Sequence, residues 1–536
     1  NLNSVVPLSD VANRVHRNTT AITSTLLGVA TDEERIDLLN WITRDPNWTP
    51  ISDEASHVGV MGAPIHTQPT VVEYTDGDVV YIPTSEGVLE AIDADTGEEL
   101  WAFMPTDLLT NIRTLKNNNP SAIPYYGLDG PLTIYKSGTQ TMAIFGMRRG
   151  GRKYHLLNIS DRLDPVYITE ISSVASTDFS KLGQTWSKPL FVKMMIDDVS
   201  KEVLVFGGGY DPDQDDSTLP DSEGNAIYIV DAADGSFEKS ISNANADLNI
   251  PGMDYAIPSD LATVDLNGNG IIERLYASDV GGKIIRVDFG DKDDESITNT
   301  ITGGVVADVN NNGSEHRKFF NTPQIGYYSK GGIQFLSILI GSGDLANPLD
   351  TTVTDRFYMI KDTAIWHTPD PFITAIATNF INASTEALDR NEVLNVANKG
   401  WYVDFTTAEK SFSRAILFDY AIFFTTYSAE TVEPENICEA TGTVGAARIY
   451  GLDLIDAGAV IKWDPADETP LTVDDRIDQL ELQGIPPSPM LLFPGGTDDD
   501  GNTVIGKKIF LFADLKKKHE WSDRFRPIYW EEVIDE

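Results

Sequence analysis

The residues whose types and spacing could do chemistry most directly lie in one stretch of nine, Asp265 to Glu273, which reads Asp-Leu-Asn-Gly-Asn-Gly-Ile-Ile-Glu. Side-chain oxygens stand at alternate positions, and the seventh position can offer a backbone carbonyl. Ca²⁺ takes about six to eight oxygen ligands, and loops supply them with this alternate spacing. The stretch therefore predicts a calcium-binding loop. Its donors are Asp265, Asn267, Asn269, the carbonyl of Ile271 and Glu273.

The same stretch differs from an EF-hand, and it has a simpler alternative. An EF-hand needs a bidentate Glu at its twelfth position, where this chain has Tyr276. Asp, Asn and Gly in this order also make ordinary polar turns between strands. Only Asp265 and Glu273 carry formal charge among the donors. The predicted affinity for calcium is therefore modest, nearer to about 10⁻⁴ M than to about 10⁻⁸ M.

The elements around this loop are predicted to be strands. Leu261 to Val264 before it and Arg274 to Ala277 after it are apolar enough to form the two sides of a hairpin. A larger unit recurs along the chain: an apolar strand, a turn with Gly, a second strand, and then Asp with another turn. Its clearest copy runs from Val79 to Trp101, and shorter copies begin at Ala226, Arg274, Arg356 and Arg448.

These unevenly spaced repeats predict an all-β fold, a modified β-propeller whose blades bury their faces against one another. The aromatic residue of each copy is then a packing residue. These residues are Trp101, Tyr228, Tyr276, Tyr358 and Tyr450.

The prediction adds helical and irregular segments to the propeller. Thr31 and Glu34 form the pattern of a capping box, which predicts a helix that ends before Pro46. Residues 1–57 are therefore interpreted as a helical preface, and residues 58–536 as the propeller with insertions. Within the propeller, residues 372–380 and 385–396 are predicted to be inserted helices.

Composition excludes several classes of function. The chain has 40 Lys and Arg against 82 Asp and Glu, a formal net charge of −42, which repels nucleic acids and anionic membrane surfaces. The single cysteine, Cys438, excludes an intrachain disulfide and a Cys-based zinc cluster. No apolar run is long enough to predict a membrane-spanning helix. The chain begins at Asn1, which suggests a processed protein or a fragment.

Catalytic motifs are missing from the sequence, so an enzyme is not predicted. There is no Gly-x-Ser-x-Gly, His-Glu-x-x-His or phosphate-binding Gly-Lys-Ser pattern. The histidines are scattered without ligand spacing; they are His16, His57, His66, His155, His316, His367 and His519.

Three further acidic stretches could be considered as cation sites, but simpler interpretations are favoured. Residues 308–316 repeat the alternate spacing and end in His316, which suits Ca²⁺ poorly, so an Asn-rich turn is preferred. Asp211 to Asp215 is interpreted as a solvated loop. Residues 498–502 are interpreted as a hairpin tip.

A series of motifs, in a fixed order, resembles the C-terminal propeller of the PilC/PilY family, the tip-associated adhesins and assembly factors of type IV pili. The resemblance runs from about Val58 to the end of the chain. The motifs are Asp93–Pro105, Gly146–Gly151, Gly183–Pro189, Gly207–Asp211, Asp265–Glu273, Arg317–Pro323, Gly341–Asp344 with Arg356–Asp362, Gly400–Tyr402, Gly484–Pro489 and Tyr529–Val533.

The resemblance implies about seven quinoprotein-like blades and a calcium loop whose ligands are Asp265, Asn267, Asn269, the Ile271 carbonyl and Glu273. The family more often has acidic residues at the third and fifth positions and Asp at the ninth, so a lower affinity is expected here. It also implies a function in pilus assembly, retraction control, twitching motility and adhesion. The expected location is the cell surface at the pilus tip, after export across the envelope. The expected partners are minor pilins and a host or abiotic surface ligand.

Two other functions remain open at this point. Propellers that bind pyrroloquinoline quinone beside calcium share the blade pattern around Asp93 to Trp101, so a quinoprotein dehydrogenase is one alternative. A non-catalytic scaffold propeller, in which calcium only stabilises the fold, is the other.

Overall fold

The structure, a computed structural model, describes residues 6–7, 15, 17–43, 61–117, 125–290, 301–310, 315–429, 445–464, 467–492, 495–497, 503–505, 508–512 and 519–522. Most of its regular structure is β-strand. The strands are β1 (Val6–Pro7), β2 (Thr70–Val72), β3 (Val79–Pro83), β4 (Leu89–Asp93), β5 (Glu99–Phe103), β6 (Leu132–Ser137), β7 (Gln140–Gly146), β8 (Tyr154–Asn158), β9 (Val166–Ile171), β10 (Leu190–Ile196), β11 (Val199–Gly207), β12 (Ala226–Asp231), β13 (Phe237–Ser242), β14 (Leu248–Asn249), β15 (Ala262–Val264), β16 (Arg274–Ser278), β17 (Lys283–Asp288), β18 (Thr302–Asp308), β19 (Gln324–Lys330), β20 (Ile333–Gly341), β21 (Arg356–Asp362), β22 (Ala375–Ile376), β23 (Ile381–Asn382), β24 (Gly400–Asp404), β25 (Glu409–Lys410), β26 (Ile416–Phe418), β27 (Ala421–Ser428), β28 (Ala446–Asp453), β29 (Ile477–Gln483), β30 (Met490–Leu492), β31 (Gly495–Thr497), β32 (Thr503–Ile505), β33 (Lys508–Phe512) and β34 (His519–Ser522).

Helices are few and short. The α-helices are α1 (Asp32–Ile42), α2 (Ile112–Asn117) and α3 (Arg390–Leu394), and the 3₁₀-helices are Thr106–Asn111, Arg148–Gly150, Thr177–Phe179, Pro212–Asp215, Ala377–Asn379 and Val473–Arg476. The longest described helix has 11 residues, and none in the described ranges combines the length and apolar character needed to cross a membrane. The all-β prediction is confirmed.

The strands form six sheets of four or five strands, one sheet of three strands and one two-stranded hairpin. Within the sheets, neighbouring strands are mostly consecutive in sequence and antiparallel. The orders of the larger sheets are β2-β3-β4-β5, β1-β9-β8-β7-β6, β10-β11-β12-β13-β14, β15-β16-β17-β18-β22, β19-β20-β21-β24-β23 and β25-β27-β28-β29, with β26 on β27, and the smaller ones are β30-β33-β34 and β31-β32. This is the repeated meander that the sequence predicted.

The chain divides into two compact units. The first consists of Asn1–Ala277 and Val287–Gly304, and the second consists of Ser278–Arg286 and Val305–Glu536. In the first unit, buried residues of the β2–β5 sheet share a core with those of the β6–β9 sheet, such as Tyr81 and Phe145. In the second unit, Phe357 and Phe424 from two sheets stack with ring centroids 3.9 Å apart. Each unit thus buries one sheet against the next.

The recurrent tyrosines are packing residues, as predicted. Tyr228, Tyr276, Tyr358 and Tyr450 are each at most 2% exposed. Trp101 is only half-buried, and its indole nitrogen donates to the carbonyl oxygen of a loop residue, 2.8 Å away. Alternation along the strands explains this pattern, because every second side chain of an inner strand points into the space between two sheets.

The predicted capping box at the first helix is present. The Glu34 amide donates to the Thr31 hydroxyl over 3.1 Å, and the Glu34 carboxylate accepts from the Thr31 amide over 3.2 Å. Leu38 and Leu39 of α1 are buried beside Leu109 and Ile112, which follow β5. The helix ends at Ile42, before Pro46. The predicted preface boundary at residue 57 lies outside the described residues.

One prediction about the insertions is wrong. Residues 372–380 were expected to be helical, but they contain the short strand β22 and a single 3₁₀ turn. β22 pairs in parallel with β18, and the Thr374 hydroxyl donates to the Val305 carbonyl over 2.9 Å. Because β-branched residues are common in this segment, pairing with a sheet is favoured over helix formation. The second insertion does contain a helix, α3.

Candidate metal site

The predicted metal loop joins the two strands of a hairpin. β15 and β16 pair in antiparallel register with Val264 opposite Arg274, so the nine intervening residues form the connection. The Glu273 amide donates to the Val264 carbonyl over 3.2 Å, and the Ile272 amide donates to the Lys193 carbonyl over 2.8 Å. Both ends of the loop are therefore fixed, and the two strand predictions are confirmed.

Backbone amides hold the side-chain oxygens of the loop in place. The Asp265 carboxylate accepts from the amides of Gly268 and Gly270, each over 2.7 Å. The amide oxygens of Asn267 and Asn269 each accept from the backbone amide two residues later, over 3.0 and 2.8 Å. Gly268 and Gly270 have φ of 78° and 84°, which residues with a Cβ rarely adopt. The loop therefore curls, with its oxygens turned toward its own backbone.

Glu273 forms the base of this loop. It is 1% exposed, and its Oε2 accepts from the Leu266 amide over 2.6 Å. The residue after it, Arg274, is also buried and forms an ion pair with Asp288, with 2.6 Å between Nε and Oδ1. The end of the loop thus lies beside a buried ion pair.

The donor set fits calcium by its chemistry. Asp265, Asn267, Asn269, Glu273 and the Ile271 carbonyl offer oxygen only, which is what a hard cation prefers. Within the described ranges, no group of three or more His, Cys, Asp and Glu side chains is placed to hold a metal ion. A cation here would therefore depend on amide and carbonyl oxygens as well as on two carboxylates.

In the other acidic stretches, the residues that the structure describes make contacts within the protein. The Asp211 carboxylate accepts from the amides of Asp213 and Ser222, over 3.0 and 3.1 Å, and Asp211 is only 3% exposed. Asp215 forms an ion pair with Arg149. The Asn310 side chain links the carbonyls of Gly281 and Arg317. Residues 311–314 and 498–502 lie outside the described residues.

Three of the glycine motifs meet at one place, which the sequence did not show. Gln184 and Tyr210 exchange two backbone hydrogen bonds of 2.9 Å each. The Arg148 amide donates to the Thr185 carbonyl over 3.2 Å, and the Thr185 amide donates to the Gly151 carbonyl over 3.2 Å. The motifs 146–151, 183–189 and 207–211 therefore form one cluster, called here the glycine cluster. Their sequence separation of tens of residues gave no sign of it.

Comparison with known proteins agrees with this fold. No established family profile matches the chain. A type IV pilus biogenesis factor PilY1 homolog of Xylella fastidiosa is 23% identical over 412 residues, which is 72% of this chain and 26% of that protein. The type IV pilus biogenesis factor PilY1 of Pseudomonas aeruginosa is 26% identical over 231 residues, 41% of this chain and 18% of that protein.

The crystal structure of the C-terminal domain of Pseudomonas aeruginosa PilY1 matches 83% of this chain and 92% of that domain, with a TM-score of 0.55 and 17% identity. The chain is thus similar in sequence to proteins named PilY1 and similar in fold to the PilY1 C-terminal domain. Its fold is that of the PilY1 C-terminal propeller domain. The chain spans about a quarter of the length of its PilY1 relative from Xylella fastidiosa.

Proposed function

We propose that this chain acts in type IV pilus biogenesis as a non-catalytic propeller that binds Ca²⁺ through the loop 265–273. The observation that carries the proposal is the sequence relationship over 412 residues to a protein named as a type IV pilus biogenesis factor. The hairpin geometry of the loop supports the calcium part, since the oxygen donors occur on one curled connection with a fixed base.

Calcium would supply positive charge to a loop that carries two carboxylates, Asp265 and Glu273. Asp265 holds the first turn through two amides, and Glu273 holds the base through Leu266. Asn267 and Asn269 are exposed, so they can rotate toward a cation at little cost in burial. The chain therefore supplies a half-formed site that a divalent cation completes.

Location and partners extend the same proposal. The chain is exported, lies at the cell surface at the pilus tip, and contacts minor pilins. It contributes there to adhesion to a host or abiotic surface, to retraction control and to twitching motility. The named function of the PilY1 relatives supports this location.

Calorimetric titration tests the calcium site. The EDTA-treated chain is titrated with Ca²⁺, with Mg²⁺ as the control cation, and compared with Asp265→Ala. We expect one site of micromolar to millimolar affinity that Asp265→Ala removes. Binding that is unchanged in Asp265→Ala would place the cation elsewhere.

Complementation of a strain that lacks the protein tests the pilus function. Wild type and Asp265→Ala are compared for surface pili and twitching at equal protein levels. Loss of both with Asp265→Ala supports a regulatory calcium site. Normal pili with a less stable protein would instead favour the scaffold function, in which calcium only stabilises the fold. Normal pili without any copy of the protein would refute the pilus function itself.

A further inference from the structure

Arg148, in the glycine cluster, carries a charge that the protein itself does not neutralise by contact. Its guanidinium carbon lies 4.2 Å from the centroid of the Trp186 ring, which is a cation–π distance. In the part of the chain that the structure describes, Arg148 forms no ion pair and donates no side-chain hydrogen bond. A cation–π contact uses none of the N–H donors of a guanidinium as hydrogen bonds, so these donors stay available.

The backbone of the loop is constrained around Arg148. Arg148 has φ of 49°, a conformation that residues with a Cβ seldom adopt. The Met147 amide donates to the Thr185 hydroxyl over 2.7 Å, and the Gly151 amide donates to the Arg148 carbonyl over 3.2 Å. The loop is therefore held on both sides of Arg148, and the guanidinium is placed over Trp186 before any ligand arrives.

Two carboxylates around this loop, Asp215 and Asp129, already have other partners. Asp215 accepts two hydrogen bonds of 2.8 Å from Arg149 and one of 2.8 Å from the Tyr210 hydroxyl. Asp129 accepts from the His66 amide over 2.9 Å and lies 2.5 Å from the His66 ring. Neither carboxylate is bonded to Arg148.

The basic residues that follow Arg148 in the loop, unlike Arg148, form ion pairs with carboxylates. Arg149 pairs with Asp215, Arg152 pairs with Glu223 at 2.6 Å, and Lys153 pairs with Glu170 at 3.0 Å. Burial lowers the pKa of Arg148 to about 10, with attraction to Asp129 opposing the shift. A partly desolvated cation without a counterion costs free energy, and an anionic ligand would offset that cost.

We propose that Arg148, supported by Trp186, is a binding site for the carboxylate group of a ligand. A guanidinium matches the two oxygens of a carboxylate with two parallel hydrogen bonds. A singly charged anion suits the site better than a dianionic phosphate, because the chain carries a net charge of −42 and repels higher negative charge. An acidic sugar and the side chain of an acidic peptide both carry this group.

Calorimetric titration of the full chain at low salt tests the proposal with three probes: glucuronate, acetyl-glutamate amide and inorganic phosphate. Glucose is the uncharged control for glucuronate. We expect at least one of the two carboxylates to bind, and Arg148→Gln to weaken that binding by at least about tenfold. If glucuronate is the better probe, glucose should bind at least about tenfold more weakly than glucuronate. The better of the two carboxylates identifies an acidic sugar or an acidic peptide as the source.

A matched variant and a second substitution keep the result interpretable. Arg152→Gln removes a cation from the same loop, one that is paired with Glu223, and it should leave carboxylate binding unchanged. Arg148→Gly suits the positive φ, so it should fold and still lose binding. Equal affinity in wild type and Arg148→Gly, preferential binding of phosphate, or no binding of either carboxylate would overturn the proposal.

Discussion

The Glu273 carboxylate lies 2.6 Å from the Leu266 amide nitrogen, so the ninth residue of the metal loop is hydrogen-bonded to the second. Because Glu273 is buried and Leu266 is half-buried, this bond closes the base of the loop where it meets the protein interior. The proposed calcium ligands thus include one residue that supports the loop and others that lie on its exposed rim.

Glu273→Gln should weaken calcium binding without unfolding the hairpin, because the amide oxygen of Gln can still accept from Leu266. At Ca²⁺ a hundredfold above the wild-type Kd, calcium should stabilise wild type by about 2.7 kcal/mol. A tenfold weaker variant should gain only about 1.4 kcal/mol. Urea unfolding with Ca²⁺ and with EDTA measures both gains. Asp198→Asn, in an exposed turn, is the control, and a full gain in Glu273→Gln would contradict the prediction.

Gly209→Ala should destabilise the glycine cluster. Its φ is 95°, and an added Cβ would lie 2.0 Å from the Gln184 carbonyl oxygen. Backbone strain and overlap together should cost on the order of 2–5 kcal/mol. Gly138→Ala is the matched control, since Gly138 has φ of 58° and nothing within 4 Å of an added Cβ. Equal loss of thermal stability in the two variants would contradict the overlap argument.

Asp279 should make the protein less stable as pH rises. Burial raises the pKa of this carboxyl group well above its usual range, and its Oδ2 has no hydrogen-bond partner among the described residues. Because the pKa of Asp279 is higher in the folded than in the unfolded protein, protonated Asp279 contributes to the stability of the folded state. This contribution is complete below the unfolded pKa of about 3.9 and is lost as pH rises through the folded pKa.

Asp279→Asn removes that titration and keeps an oxygen for the amides of Gly281 and Lys283, which Oδ1 accepts from over 3.0 and 2.8 Å. The variant should therefore gain stability relative to wild type between pH 4 and pH 8, by about 1–3 kcal/mol at the upper end. Thermal unfolding across this range measures the difference. A constant difference at every pH would show that Asp279 does not titrate with a raised pKa.

Asp288→Asn should destabilise the protein at the buried ion pair beside the metal loop. Asp288 and Arg274 are both nearly buried, and removing one charge of such a pair costs about 3–5 kcal/mol. The double variant Arg274→Met/Asp288→Leu should cost less, because no buried charge remains from the pair. Denaturant midpoints of the three proteins measure this, and a double variant less stable than Asp288→Asn would contradict the explanation.

Local rules explain what the sequence could predict. The Thr31–Glu34 capping box depends on residues three apart, and the loop 265–273 depends on nine consecutive residues, so both were visible in the sequence. The strands of the repeats were visible because alternation has a period of two.

Long-range contacts explain what it could not predict. Arg148 and Trp186 come together only because two sheet ends meet, and the pattern of either motif alone does not encode their distance. Residues 372–380 were misread for a similar reason. The apolar residues of this segment have no clear period, so the sequence did not distinguish helix from strand. Pairing with β18 makes part of the segment a strand.

The extra fifth strands of the sheets limit how another chain could attach. β1, β14, β22 and β23 cover the outer edges of β9, β13, β18 and β24. Among the described strands, the corresponding edges of β5 and β29 carry no such cover. Unpaired strand edges accept added strands, whereas covered edges must first lose their own. Among the described strands, β5 and β29 are therefore the long last strands to which a partner could add a strand without first displacing a short one.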